Sequence, residues 1–204
     1  ADTDAFSTAD AANRPAAVAA LTNRLLASPQ FGERWGRHWL DLARYSDTKG
    51  YVYGREERRF AHAPTYRRWV INALNNDLPY NRFLLLQIAG DQLLPPDSPD
   101  LAAMGFLTGG RRFIGVTHDI IDDRIDVVMR STMGLTVQCA RCHDHKYDPV
   151  PTADYYSLYG VFQSSTDQLI PLNTTDDAEL KKRQDALASA MASHRADAAQ
   201  RLRS

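Results

Sequence analysis

The chain has 204 residues, 44% hydrophobic and 24% charged, the balance of a globular domain and not of a disordered one. Its 24 basic and 25 acidic residues leave a formal net charge of -1, so no like-charged face calls for a nucleic acid or an anionic membrane as partner. The longest apolar runs, such as residues 83–88, are too short to span a bilayer, and no basic-then-apolar leader opens the chain, which places any export signal outside it.

Apolar residues recur with a helical period almost throughout, without alternating strands. This predicts an all-α fold, an irregular multi-helix domain with long connecting loops. Pro15 opens a first helix through Val18, Leu21, Leu25 and Leu26. A second is expected from Phe31 to Tyr45, with Trp35, His38, Trp39, Leu42 and Tyr45 on one inward face. Residues 46–63 lose the period, and their glycines, aromatic rings and arginines read as a functional or partner-facing loop. Helices follow at 64–76, with Trp69, Val70, Ala73 and Leu74 inward, and at 80–90. Residues 94–99 form a Pro-rich turn, and a short helix over 100–108 ends at Gly109-Gly110. A long helix from Asp119 to Val137, striped by Ile121, Ile125, Val128 and Met129, is expected to deliver the chain directly to Cys139. Beyond Pro149-Val150-Pro151, Thr152 can cap a helix carrying Tyr155, Tyr156, Leu158, Tyr159 and Phe162. Residues 164–176 are loop-like, and from Asp177 a helix with a thin stripe of Leu180, Leu187 and Met191 is expected to continue into further sequence.

The chain's two cysteines fall in Cys139-Ala140-Arg141-Cys142-His143. Random placement would put two cysteines three apart in roughly 1% of such chains, so the spacing calls for a reason. Cys-x-x-Cys-His is the haem c attachment spacing. One turn of chain lets both thiols reach one edge of the porphyrin, and the next residue supplies the proximal imidazole to iron. Cys139 and Cys142 are thus expected as thioether anchors and His143 as axial ligand of one covalent haem. Three other readings stand beside it: a structural zinc site using Cys139, Cys142, His143 and His145, a dithiol redox motif, and two inert thiols or a plain disulfide. For the opposite face of the iron the candidates are His38, His62, His118, Met104, Met129 and Met133, with His38 first because it lies on the aromatic face of the second helix. His145, Lys146 and Asp148 are expected to meet propionates or to anchor the turn before Pro149.

Asp119, Asp122, Asp123 and Asp126 share one helical side. Such carboxylates pair with arginines, Arg111, Arg112, Arg124 and Arg130 being near in sequence, or bind a hard cation such as calcium. Arg34, Arg37 and Arg44 are further candidates for such pairs or for propionates.

The blocks at residues 25–35, 38–45 and 139–146, together with Ile121-Asp122-Asp123-Arg124-Ile125-Asp126, Asp148-Pro149 and Asp154-Tyr155-Tyr156, resemble the planctomycete-type cytochrome c-like domain, a family of unknown function. The resemblance runs from about residue 18 to 165. It implies a large exported bacterial protein in which a second uncharacterised domain follows and a small cytochrome domain often precedes, from genes often near sulfatases and other polysaccharide-processing genes. It also implies that the chain starts after the family's first helices and stops before the second domain, and it favours His38, which belongs to the family pattern, over His118. The organisation expected is an N-terminal extension (1–14), a helical cytochrome c-like domain (15–165), and a polar linker with a C-terminal helix (166–204).

The leading expectation is a covalent haem c electron-transfer domain, periplasmic or otherwise extracytoplasmic, working with a redox partner or adjoining domains of the same protein. A second is a haem-dependent oxidoreductase of extracytoplasmic glycan metabolism, with the 46–63 loop lining a cleft and Asp47, Tyr51 and Arg55 as pocket residues. A third is a non-catalytic module with a structural Cys/His metal site.

Overall fold

The computed structural model describes residues 2–48, 59–109, 116–170 and 177–201. Among these there are eight α-helices and no strand, only an isolated bridge between Thr48 and Arg59; the fold is all-α. Residues 1–168 form one compact unit and 169–204 a second. The first holds α1 (Asp2–Leu26), α2 (Gln30–Leu42), α3 (Ala63–Asn75), α4 (Tyr80–Leu93), α5 (Gly105–Thr108), α6 (Thr117–Met133) and α7 (Thr152–Gln163), with 3-10 turns at Pro99–Met104 and Gln138–Arg141. The second holds α8 (Asp177–Arg201), on which Leu187 and Met191 are exposed.

The predicted start at Pro15 survives as a break inside a longer helix. Asn13 leaves the helical region (φ -158°, ψ 90°), and its Oδ1 accepts from the Ala16 N–H at 3.3 Å, a side-chain cap where Pro15 offers no N–H. What the apolar period missed is the helical stretch before it, which has no such stripe.

The face of α2 is corrected. Gly32, Gly36 and Leu40 are its buried residues, whereas Trp35 is 56% exposed and Leu42 also lies open. The cause is close packing on α3. A Cβ on Gly32 would stand 2.4 Å from the Ile71 carbonyl oxygen, and one on Gly36 3.4 Å from Ile71 Cγ1. Helices that approach on glycine bury the glycine edge, and the large side chains turn away. The Gly32 N–H donates to Asn75 Oδ1 at 2.7 Å, and Asn75 Nδ2 to the Pro29 carbonyl at 2.9 Å, locking the crossing.

Trp39 is the large residue of α2 that does reach the core. It stacks on Phe106 at 5.7 Å and meets Phe83 edge-on at 4.9 Å. Its Nε1 donates to Gln87 Oε1 at 2.8 Å, which also accepts from Tyr66 OH at 2.6 Å, while Gln87 Nε2 donates to the Phe83 carbonyl. Gln87 is fully buried, and with its oxygen doubly used it escapes the penalty of an unpaired buried amide. Val70, Leu86, Phe106, Ile121 and Ile125 complete the apolar centre; burial of each stabilises the fold by roughly 1.5–3 kcal/mol.

Three further boundaries differ from expectation. The helix over 100–108 divides into a 3-10 turn and the short α5. Helix α6 stops at Met133 instead of running to Val137, because Gly134 takes a left-handed backbone (φ 69°) and the N–H groups of Gly134 and Leu135 return to the carbonyls of Arg130 and Met129. Thr152 begins α7, as expected, but does not cap it; Asp144 does, its Oδ1 accepting from the Thr152 N–H at 2.8 Å.

Candidate functional site

The Cys139–His143 segment lies on the loop between α6 and α7. Its backbone makes a tight turn: the Cys142 and His143 N–H groups both point to the Cys139 carbonyl, at 3.2 and 3.3 Å. Ala140 is fully buried beneath it. Arg141 reaches back to α6, 3.3 Å from Asp119 and 3.8 Å from Asp122, and its guanidinium is held charged above its ordinary range, first by the Asp119 hydrogen bond. The Arg141 carbonyl accepts from Tyr156 OH at 3.1 Å. Asp144 is spent on the start of α7.

His145 closes the loop. Its side chain is 8% exposed, and its Nδ1 accepts from the Asp148 N–H at 2.9 Å and the Tyr147 N–H at 3.3 Å. The Asp148 carboxylate also approaches this nitrogen, at 3.2 Å. The His145 N–H donates to the Val150 carbonyl at 2.9 Å. Lys146 is exposed and sits 5.1 Å from the Tyr147 ring centre.

Against this tied-down frame, Cys139, Cys142 and His143 are exposed, and both cysteines are free thiols. His143 Nδ1 lies 2.8 Å from the carbonyl oxygen of Asp144. Nδ1 must donate there, so in the neutral ring the lone pair is on Nε2, the tautomer an iron-ligating histidine needs. Among the described residues no three His, Cys, Asp or Glu side chains gather in a metal-holding group.

The acidic side of α6 is distributed among different partners. Asp123 takes Arg44 through contacts of 2.5 and 2.9 Å, Asp126 takes Arg130 at 2.5 Å, and Asp119 takes Arg141. Asp122 is a hub for Tyr155 OH at 2.5 Å, Gln138 Nε2 at 3.2 Å and Arg141. Arg124 turns instead to Asp167, at 2.7 and 2.9 Å. Arg34 and Arg37 are exposed on α2; Arg111 and Arg112 lie outside the described residues, as do Tyr51 and Arg55.

The remaining expected ligands scatter. His38 is exposed, its ring 5.6 Å from that of Trp35. His62 is exposed ahead of α3. His118 Nδ1 is hydrogen-bonded to Tyr159 OH. The Met104 sulfur accepts from the Gly90 N–H at 3.2 Å. Asp47 accepts from Tyr45 OH at 2.6 Å and pairs with Arg67 at 3.4 Å. Met129 and Met133, however, share an apolar cavity of about 320 Å³ with Ile125, Val137, Val150 and Leu158. Cys139, Cys142 and His143 are not in its wall, but the loop that carries them leaves from one side of it, at Val137, and returns to another, at Asp148–Val150. The capping by Asp144 and the anchoring by Tyr155 and Tyr156 had no local sequence signal, since each partner lies 8 to 33 residues away.

A helical domain that presents a Cys-x-x-Cys-His turn between two helices thus describes the chain's class. It belongs to the PSCyt2 family, described as "Protein of unknown function (DUF1549)", which matches residues 1–167. No curated protein and no solved structure matches the chain.

Proposed function

We propose that the chain is a covalent c-type haem-binding redox domain of a larger exported bacterial protein, anchored through Cys139 and Cys142 with His143 on the iron. The observation that carries this reading is the division of roles in one loop. Ala140, Arg141, Asp144 and His145 are buried or hydrogen-bonded into the fold, and the three residues with haem chemistry are left exposed. A purely structural zinc site would be expected to draw its four ligands inward and together. Here His145, the fourth ligand of such a set, uses Nδ1 on its own turn.

The haem, when bound, supplies a one-electron couple. The protein's part is to hold the imidazole: the Asp144 carbonyl sets the His143 tautomer, and the Arg141 and Tyr156 contacts keep both cysteines on one turn. Thioether formation belongs outside the cytoplasm, which places the chain in the periplasm or an equivalent compartment, with a redox partner or adjoining domains receiving the electron.

The test is expression of the full chain with an export signal and a haem c maturation system. A denaturing gel stained for covalent haem and a pyridine haemochrome spectrum of the two-thioether type are expected, both lost when Cys139 and Cys142 are changed to serine. A low-spin native spectrum supports electron transfer. A high-spin, cyanide-binding haem would instead make this a haem-dependent oxidoreductase, for which extracytoplasmic glycan metabolism is the setting the family resemblance suggests. A folded but colourless protein would sink the haem reading.

A further inference from the structure

An iron held by His143 on one face takes either a second protein donor or an open position on the other, and the fold narrows the choice of donor. His118 is engaged by Tyr159, and the Met104 sulfur is occupied by the Gly90 N–H inside the packing of α4. His38 stands on the exposed face of α2 beside Trp35, and His62 precedes α3; neither belongs to the wall from which the motif loop springs. Met129 and Met133 do belong to it.

These two methionines, one helical turn apart on α6, are not equivalent. Met129 is half-buried and packs against the main core. Met133 is 62% exposed, yet it lines an apolar cavity. It therefore stands at the lip, at the last position of α6 before Gly134 turns the chain toward the motif. An unbranched thioether left open at such a lip contributes little to packing, and its soft, polarisable sulfur is an established kind of donor to haem iron.

We infer that Met133 is the second axial ligand of the haem tethered at Cys139 and Cys142, an inference that rests on the haem reading above. Both ends of the 138–147 loop, at Val137 and Asp148, lie in the wall that Met133 also lines. The apolar lining of that wall suits the edge of a macrocycle, and Met133 is the thioether it offers beside the motif loop. Ligation by Met133 moves the sixth ligand from His38 to α6.

The experiment is proton NMR of the reduced, haem-loaded full chain, with covalent-haem staining and circular dichroism on every variant. In the diamagnetic ferrous state the ring current shifts the methyl signal of an iron-bound methionine far upfield of all others. One such signal is expected in the wild-type chain, kept in Met129→Leu and His38→Ala, and lost in Met133→Leu. Because Met133 is mostly exposed, that variant is expected to retain its helical spectrum and its covalent stain. Persistence of the shifted methyl in Met133→Leu overturns the inference. So does its loss in Met129→Leu alone, or its absence from a wild-type chain that stains for haem. A wild-type chain that carries no covalent haem fails one step earlier and takes the haem reading down with the ligand.

Discussion

Arg44 grips Asp123 through two guanidinium nitrogens at 2.5 and 2.9 Å, and it does so from a left-handed backbone with φ of 50°. The same guanidinium donates to the carbonyls of Phe106 and Ala43 at 3.1 and 3.2 Å. A non-glycine residue is held in that conformation only where its surroundings over-determine it. The clamp joins the end of α2 to the middle of α6, the helix whose Asp119 and Asp122 hold the motif turn. Arg44→Lys keeps the charge but loses the fork. It is expected to lower unfolding stability by about 1–3 kcal/mol, since both side chains are only partly exposed. Urea denaturation with an unchanged m-value checks this; a shift in midpoint within error would show that the fork adds nothing beyond the charge.

Asp122 is the point where α6 meets both the motif turn and α7. Tyr155→Phe removes the 2.5 Å hydrogen bond while keeping the buried ring, so it is expected to lower stability by about 1 kcal/mol. Asp122→Asn is expected to loosen the turn as well, because Gln138 and Arg141 lose their shared anion. Hydrogen exchange at the amides of Ala140 and Cys142 should then quicken while exchange in α3 stays as it was. Equal exchange in both places would show that the turn is held by packing on Ala140 alone.

Gly32→Ala is expected to be among the most damaging single-methyl changes in the chain. The added carbon would meet the Ile71 carbonyl oxygen at 2.4 Å and the Asn75 side chain at 2.7 Å. The backbone atom cannot swing away, so α2 must back off α3, at roughly 2–3 kcal/mol or more. The companion Gly36→Ala has its nearest contact at 3.4 Å and is expected to be tolerated. Thermal melts of the two variants side by side provide the comparison, and a Gly32→Ala melt no lower than that of Gly36→Ala would contradict the packing described.

Alkaline pH should unfold the protein through its tyrosines. The Tyr45 phenol is pushed up to about 12, by burial first and then by its hydrogen bond to Asp47. Tyr66 and Tyr155 are raised further, again with burial as the leading cause. The unfolded chain ionises its tyrosines near pH 10. Between there and the raised folded values the unfolded state sheds protons that the folded state keeps, so stability falls with rising pH. Below about pH 9 these groups contribute no pH dependence. Melting temperature measured from pH 8 to 12 should be level at first and then drop, and Tyr45→Phe should make the drop shallower. A profile unchanged by that variant would remove Tyr45 from the account.

Much of the helical layout was legible because helices announce themselves locally. The period-3.6 stripe of Ile121 and Ile125, Pro64 near the start of α3 and the turn at Pro149–Pro151 each act within a few residues. The motif was legible for the same reason: Cys139, Cys142 and His143 lie within five consecutive residues. The stop of α6 was equally local, at Gly134, but Leu135 and Val137 beyond it hid the stop.

The outward turn of Trp35 was not legible, although its spacing matches an inward face. Hydrophobicity says which residues would gain from burial, whereas the approach of α3 onto Gly32 and Gly36 decides which edge of α2 is buried, and that contact spans some forty residues. The acids of α6 follow the same rule. Their spacing places them on one helical side and supplies the local Asp126–Arg130 pair, but whether the others gather on an ion or part company among Arg44, Arg141 and Tyr155 depends on where other parts of the fold bring those groups. The sequence by itself determined the all-α class and the cysteine-histidine turn, both set by interactions within a few residues of chain. Tertiary structure decided which donors stand near that turn, because side chains as far apart as Arg44 and Asp123 come into contact only after the helices have packed.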